Sequence, residues 1–395
     1  MRIIGILAFV FALLASVMIH EFGHYITAKK YGMRVSEFFL GFGKRLWSFT
    51  RGETEFGIKA IPAGGYCRIE GMTATDEMPI GEESRAFFKA SSGRKLVVLG
   101  AGSFLHFVLG FIILLVIFAG IGTAKPTTTI SQISQCVPQA NAACTDSDPR
   151  SPAAIAGLKA GDIITSLNGI PVNSWAKDVE VIKNSAGKEI IIEIQRDGQN
   201  QIITAVAATR VVDGQEYGFL GIVNEYQLVR NAPFTSIKNA GIVSWDFMTN
   251  SVKAIISLPS KIPALWGATV SGTERDPNGL VGIVGVAQVS GQAVSSDGLS
   301  SAERVQTFLL IIASLNFFVG VFNLLPILPL DGGHMAVAIA DEVRALFARI
   351  RGKARPEGIN VNKLAPVTMV VFILLAALTV LLLAADIINP VQVNL

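Results

Sequence analysis

His20-Glu21-Phe22-Gly23-His24 is the stretch of the chain best suited to chemistry. On a helix, positions i and i+4 share a face, so the two imidazoles can reach one metal ion. Glu21 falls beside them, where a carboxylate can take a proton from bound water. Zinc held by such a set lowers the pKa of that water toward 7. The chain has four histidines, and two of them are in this pentad. A catalytic zinc needs a third protein ligand and one open position. The segment Asn323-Leu324-Leu325-Pro326-Ile327-Leu328-Pro329-Leu330-Asp331-Gly332-Gly333-His334 offers two candidates, Asp331 and His334. Two histidines and a carboxylate already make a hydrolase-type set, so Asp331 is expected to be the ligand and His334 a supporting or structural residue. The competing reading of Asp331 is the N-cap of the next helix.

Apolar runs must position these residues. They extend from Ile3 to Ile19, Leu96 to Gly122, about Val305 to Leu328, and Leu364 to Ala385. Each is near the length that crosses a bilayer as a helix. Composition agrees, with 51% of the 395 residues hydrophobic and 16% charged, against roughly 25% charged in a soluble domain. This excludes a disordered chain, a coiled coil and most soluble enzymes. A net charge of +3 without a basic run gives nucleic-acid binding no support. The pentad continues the first run and Asp331 ends the third, and ionisable residues at membrane depth point to function. Pro326 and Pro329 break the third run just before Asp331, and irregular backbone at membrane depth is tolerated where it lines a cavity.

An HExxH pentad in a first span, combined with an NxxPxxxLDGG segment in a late one, resembles the site-2 proteases, which are intramembrane zinc metalloproteases. The resemblance covers most of the chain. It implies that His20, His24 and Asp331 bind Zn2+, that Glu21 is the general base, and that Asn323 helps to hold the substrate backbone or oxyanion. One position departs from the pattern. The family's second span often carries Gly-Pro-x-x-Asn-Phe, whereas this chain has Gly102-Ser103-Phe104-Leu105-His106-Phe107. His106 is read as a hydrogen-bonding partner of the site or as a buried structural histidine, and both readings stay open. Gly41-Phe42-Gly43 and the stretch Phe56 to Ile69 read as short glycine-punctuated strands. In the family this region looks like a membrane-reentrant hairpin whose edge can pair with an unwound substrate; a solvated hairpin is the other reading. Cys67 is expected to be a packed apolar residue.

Sidedness follows from the cations. Lys and Arg number twelve in 25–95, six in 335–363 and fourteen in the much longer 122–304. Short loops rich in Lys and Arg stay cytoplasmic. The long middle segment and both termini are therefore expected outside. Cys136 and Cys144 lie in that segment, either paired or as free thiols. Ser151 to Gly169 is similar to protease PDZ domains, with Asp178 to Asn184 as the helix and Glu189 to Arg196 and Gln201 to Ala207 as closing strands. From Phe219 to Ser301 the pattern is weaker; Ile237 to Leu258 has helical apolar spacing, suited to the membrane surface or to packing on the PDZ domain. Gly279 to Gly285 is glycine-rich but lacks the context of a nucleotide site, and there is no Walker motif.

The expected fold is a polytopic α-helical membrane protein with about four transmembrane helices, a cytoplasmic membrane-associated β-hairpin region and an extracytoplasmic α+β PDZ domain. The divisions are transmembrane helices at 1–31, 94–122, 303–334 and 364–386, the hairpin region at 32–93, the PDZ domain at 127–210, a linker with an amphipathic helix at 219–302, and a cytoplasmic loop at 335–363. The expected function is zinc-dependent hydrolysis of a peptide bond in or near the membrane span of single-span substrates. By resemblance these are anti-sigma factors, membrane-tethered regulators or remnant signal peptides, cut after a first protease removes the outer domain. The other partners expected are a peptide or chain terminus at the PDZ domain and the lipid of a bacterial plasma membrane. The rival reading is a catalytically silent zinc-binding scaffold that presents a PDZ domain. A metal transporter would need more polar residues within the spans, and a surface protease would need its HExxH in a soluble domain.

Overall fold

The structure, a computed structural model, describes residues 1–73, 76–137, 144, 148–172, 175–212, 215–273, 275–276, 279–296, 299–359 and 361–391. In chain order the elements are α1 (Arg2–Lys30), β1 (Val35–Arg51), β2 (Thr54–Ile69), α2 (Ser92–Leu115), β3 (Thr123–Ile133), α3 (Pro152–Ile155), β4 (Ile163–Leu167), β5 (Ile170–Pro171) and α4 (Trp175–Lys183). Next come β6 (Glu189–Arg196), β7 (Gln199–Val206), β8 (Ala208–Val212), β9 (Gln215–Phe219), β10 (Ile222–Val229), α5 (Pro233–Val270), α6 (Ile283–Ser295), α7 (Ser301–Asn323), α8 (Asp331–Ile350) and α9 (Ala365–Ile388). They group into two compact units, residues 121–231 and the rest of the chain.

Among the described residues, four helices are long and apolar enough to cross a membrane: Arg2–Lys30, Ser92–Ile121, Ser301–Asn323 and Val361–Ile388. Helices α1 and α6 meet backbone to backbone, because a Cβ on Gly5 would lie 2.9 Å from Gly291 Cα. Small residues at such crossings are how helices approach without side chains between them. Helix α2 with the helical turn Val116–Ile121 that continues it, α5 and α7 share a core of Leu114, Ile117, Phe118, Ala240, Ala313 and Phe317. The 237–258 segment is thus part of a 38-residue helix, α5, packed on α2 and α7 rather than standing as an isolated surface helix in a linker. Pro259 and Pro263 do not end it; within that stretch, Ser257 Oγ and Ser260 Oγ donate to the carbonyls of Ala254 and Ser257. A second helix, α6, also falls inside the expected linker.

The third apolar run is shorter as a helix than hydropathy suggests. Helix α7 stops at Asn323, since Pro326 and Pro329 cannot donate in a helical ladder. The chain then turns and restarts as α8 at Asp331, so the expected 335–363 loop is largely helical. The turn is tight enough to exclude a Cβ: one on Gly332 would sit 2.3 Å from the Leu324 carbonyl, and one on Gly333 2.4 Å from Leu328 N.

The hairpin β1–β2 is antiparallel with several register shifts. Its turn is tied to the helices by Glu53. That carboxylate takes a two-pronged contact from Arg85 at 2.6 and 2.7 Å and a second ion pair from Lys29 at the end of α1. Gly65 lets β2 close on α1, since a Cβ there would lie 2.7 Å from Met18 Sδ.

The 121–231 unit is built on an antiparallel sheet of order β10-β3-β4-β6-β7, with β5 paired to β4 and a separate β8–β9 hairpin. In β6, Ile190, Ile192 and Ile194 are fully buried while their neighbours face out, the alternation of a sheet covered on one face. Helix α4 contributes Trp175 and Ile182 to the same core. Arg196 grips Asp162 with two 2.7 Å bonds. Burial pushes the Asp162 carboxyl up, but Arg196 and the Lys159 N–H outweigh it and hold the group below its ordinary value. Cys136 and Cys144 are joined as a disulfide, which decides between the two readings of those thiols.

Candidate metal centre

His20 and His24 sit on one face of α1, near its end, and both are buried at 6% and 7% exposure. Asp331 is the first residue of α8, with Leu330 rather than Asp331 at the N-cap, so the capping reading does not apply. The three side chains converge. His20 Nε2 and His24 Nε2 are 3.1 Å apart, and Asp331 Oδ2 lies 3.2 Å from the first and 3.3 Å from the second. Among the described residues, His20, His24 and Asp331 form the one group able to hold a metal ion; His334, one turn further along α8, is not part of it.

The donor set fits zinc. His24 Nδ1–H donates to the Val98 carbonyl at 2.8 Å, which leaves Nε2 as a bare acceptor. That acceptor, a carboxylate oxygen and the second imidazole nitrogen converge on one point, the donor types that zinc takes. Tetrahedral ligands at about 2.0–2.2 Å from a zinc ion stand roughly 3.3 Å from each other, close to the three distances here. A backbone carbonyl behind a ligating histidine is the usual support for such a ring.

Packing around the rings is close. A Cβ on Gly102 would meet His20 Cε1, Nδ1 and Nε2 at 2.5, 2.6 and 2.7 Å, and one on Gly23 would meet the Ala101 carbonyl oxygen at 2.7 Å. The α1–α2 crossing therefore depends on glycine on both helices. Glu21 faces a cavity of about 380 Å³ that is also lined by Tyr66, Cys67, Arg68 and Asp331, so β2 forms one wall of the site. Cys67 is free and packs against a core that includes Ala28 and Val98. Asn323, the last residue of α7, brings its side-chain amide to 3.5 Å from His20 Nε2. All five residues singled out from the sequence, His20, Glu21, His24, Asn323 and Asp331, thus lie around one point.

His106 is 2% exposed and lies behind His20, with ring centres 5.0 Å apart. Its Nδ1 meets Asn316 Oδ1 at 2.8 Å, and Asn316 Nδ2 donates to Ser16 Oγ and to the Ile312 carbonyl. Sequence reasoning missed Asn316, Ser16, Gly102 and the Val98 carbonyl. Gly102 had a signal, its place one turn before His106. The Val98 carbonyl had none, because every residue has one.

Comparison with known proteins agrees with this geometry. A match to peptidase family M50 covers residues 8–375. The chain is 34% identical to zinc metalloprotease Rip1 of Mycobacterium tuberculosis (strain H37Rv) over 99% of both chains. It is also 34% identical to Rip1 of Mycolicibacterium smegmatis, over 99% of this chain and 98% of the relative. Identity to the regulator of sigma-E protease RseP of Escherichia coli (strain K12) is 25%, over 85% of this chain and 90% of the relative. With two histidines, a carboxylate and an adjacent glutamate around one point, and with these matches along almost its whole length, the chain belongs to peptidase family M50, the site-2 proteases, and is a zinc metalloprotease.

Proposed function

We propose that the protein cleaves a peptide bond in or near the membrane span of single-span substrates, with His20, His24 and Asp331 as the zinc ligands and Glu21 as the general base. The observation that carries this reading is the convergence of three donor atoms within 4.8 Å of one another beside Glu21. When bound, zinc supplies a Lewis acid and brings the pKa of a water toward 7. Glu21 takes the proton from the attacking water and delivers it to the leaving amide nitrogen. Asn323 donates its amide N–H to the substrate carbonyl oxygen. Strand β2 offers its edge to a substrate that has left its helical conformation, because a helical peptide bond is shielded by its own hydrogen bonds.

The substrate class proposed is anti-sigma factors and related membrane-tethered regulators, in keeping with relatives named for sigma-E regulation. Residues 127–210, within the 121–231 unit, are read as a PDZ domain that captures a chain end or filters substrates by size. The unit's six-stranded antiparallel sheet, α4 and the Ser151–Gly169 pattern support that reading. A location with this unit outside a bacterial plasma membrane is supported by the cation distribution and by the Cys136–Cys144 disulfide, which persists in oxidising compartments.

The test is cleavage of a single-span reporter by purified protein in detergent, with zinc content measured alongside. Glu21→Gln should keep its zinc and lose about 10²–10⁴-fold in rate, and Asp331→Asn should lose zinc. If Glu21→Gln cuts like wild type, the assigned chemistry is wrong. If wild type holds zinc but cuts no single-span reporter, the scaffold reading replaces it.

A further inference from the structure

We infer that the second half of α8, with the basic segment that follows it, lies on the bilayer surface and binds the headgroups of anionic phospholipids. The inference rests on the reading of Ser92–Ile121 and Val361–Ile388 as membrane spans. Helix α8 starts at the metal centre with Asp331 and packs along α2. Two contacts fix its level. Ser92 Oγ, at the start of α2, donates to Glu342 at 2.8 Å. The Ile359 N–H, just before the fourth span, donates to Asp341 at 2.7 Å. Both spans therefore begin beside Asp341 and Glu342. The turns from Val343 to Ile350 run on for about 12 Å past that point.

The residues of these turns suit an interface between lipid and water. Ile339, Val343, Leu346, Phe347 and Ile350 recur at helical spacing and share one face. They are 45–71% exposed, so the chain leaves that face bare. From Val343 to Arg355 the sequence has five cations, Arg344, Arg349, Arg351, Lys353 and Arg355, and no acidic residue. At about 100° per residue, Arg344 and Arg349 fall on opposite flanks of the apolar face. Their stems can follow that face into the acyl boundary while the guanidinium groups stay among headgroups. Arg344 and Arg355 have carboxylate partners in Asp341 and Glu342, at 3.4 and 2.9 Å. Arg349, Arg351 and Lys353 form no ion pair among the described residues. A cluster of cations beside a membrane span matches an anionic leaflet. A second copy of the chain would bring the same excess of positive charge and be repelled. Helix α8 is thus tied to the metal centre at one end and to lipid at the other.

The test uses full-length protein carrying Phe347→Cys, labelled with a nitrobenzoxadiazole fluorophore and reconstituted into vesicles. Wild type, whose one free thiol is Cys67, is labelled alongside as the background. The vesicles are phosphatidylcholine alone, or phosphatidylcholine with about a quarter phosphatidylglycerol as the anionic lipid. Emission from position 347 should shift to the blue when phosphatidylglycerol is present. Salt at about 1 M, where the Debye length is about 3 Å, should reverse the shift. Adding Arg349→Gln, Arg351→Gln and Lys353→Gln should abolish the response to phosphatidylglycerol while melting stays as in the parent. Equal emission in the two kinds of vesicle overturns the inference. So does a shift that survives the three substitutions. Emission already blue in lipid-free detergent and unchanged by either lipid would show that protein covers the face, which also overturns it. Failure of the span reading looks different: a label at Phe372→Cys on α9 would then report water in both kinds of vesicle, whereas a spanning α9 keeps it blue in both.

Discussion

An added Cβ at Gly102 would lie 2.5–2.7 Å from three atoms of the His20 ring, and the ring cannot retreat because it is buried against Asp331 and His24. Gly100, two residues earlier on α2, has nothing nearer than Met335 Cε at 3.8 Å. The two positions give a paired prediction. Gly102→Ala should shift His20, strip zinc and abolish cleavage, with a packing cost of about 1–3 kcal/mol. Gly100→Ala should retain both zinc and activity. Equal zinc content in the two variants would show that His20 has room to move. At this scale the ligands are legible from residue type and spacing, because i and i+4 share a face on any helix. Their supports are not, because a carbonyl or a missing Cβ has no distinctive letter pattern.

Elements are held in place by charge as well as by packing. Glu53 joins the β1–β2 turn to α1 and to Arg85. The Arg85 hydrogen bonds come first, then Lys29, and against some burial they hold the Glu53 carboxyl down to about 2 from an ordinary 4.5. The unfolded chain binds that proton more readily, so the contribution is complete above about pH 4.5 and is lost as pH falls toward 2. Glu53→Gln should therefore melt below wild type at pH 6 and converge with it near pH 2. A constant gap across that range would refute the linkage.

Asp386 near the end of α9 is the second such tie. It is fully buried and accepts from Arg275 at 2.7 Å and from the N–H groups of Gly282 and Gly285 at 3.3 and 2.7 Å. This accounts for the glycine-rich stretch before α6, because a Cβ at either glycine would strike the carboxylate. Asp386→Leu leaves Arg275 buried without its partner and should cost about 3–5 kcal/mol. Adding Arg275→Met should recover much of that loss. Identical melting of the single and double variants would show that the pair does not couple.

For the whole molecule, the division into two units matters most. Residues 121–231 have their own core around Ile190, Ile192 and Ile194. Their first and last strands pair, with Thr123 opposite Val229, so the unit begins and ends at neighbouring points. A fragment spanning 121–231 should therefore fold alone with a cooperative thermal transition. The remaining chain, closed by a short linker, should still bind zinc. Loss of zinc from that shortened chain would mean that the units are not independent. The helical unit depends on a different solvent: the apolar window of Val361–Ile388 is 0% buried by protein, and those of the other three candidate spans are 22–28% buried. Bilayer covers what the protein leaves bare.

Much of this protein was determined by local sequence. The helical pitch put His20, Glu21 and His24 together, run length marked the four candidate spans, and β6 was readable over Glu189–Arg196 from its alternation. These signals are periodic, and periodicity survives in one dimension. Only the tertiary structure decided the rest. It ended α7 at Asn323 although the apolar run continues, carried α5 through two prolines, and brought Asp331 to 3.2 Å from His20. It also placed a carbonyl of α2 behind His24 and a buried carboxylate of α9 on the N–H groups that begin α6. Such contacts depend on where helices cross and at what register, and helix register emerges from packing all of them at once, which no single segment encodes.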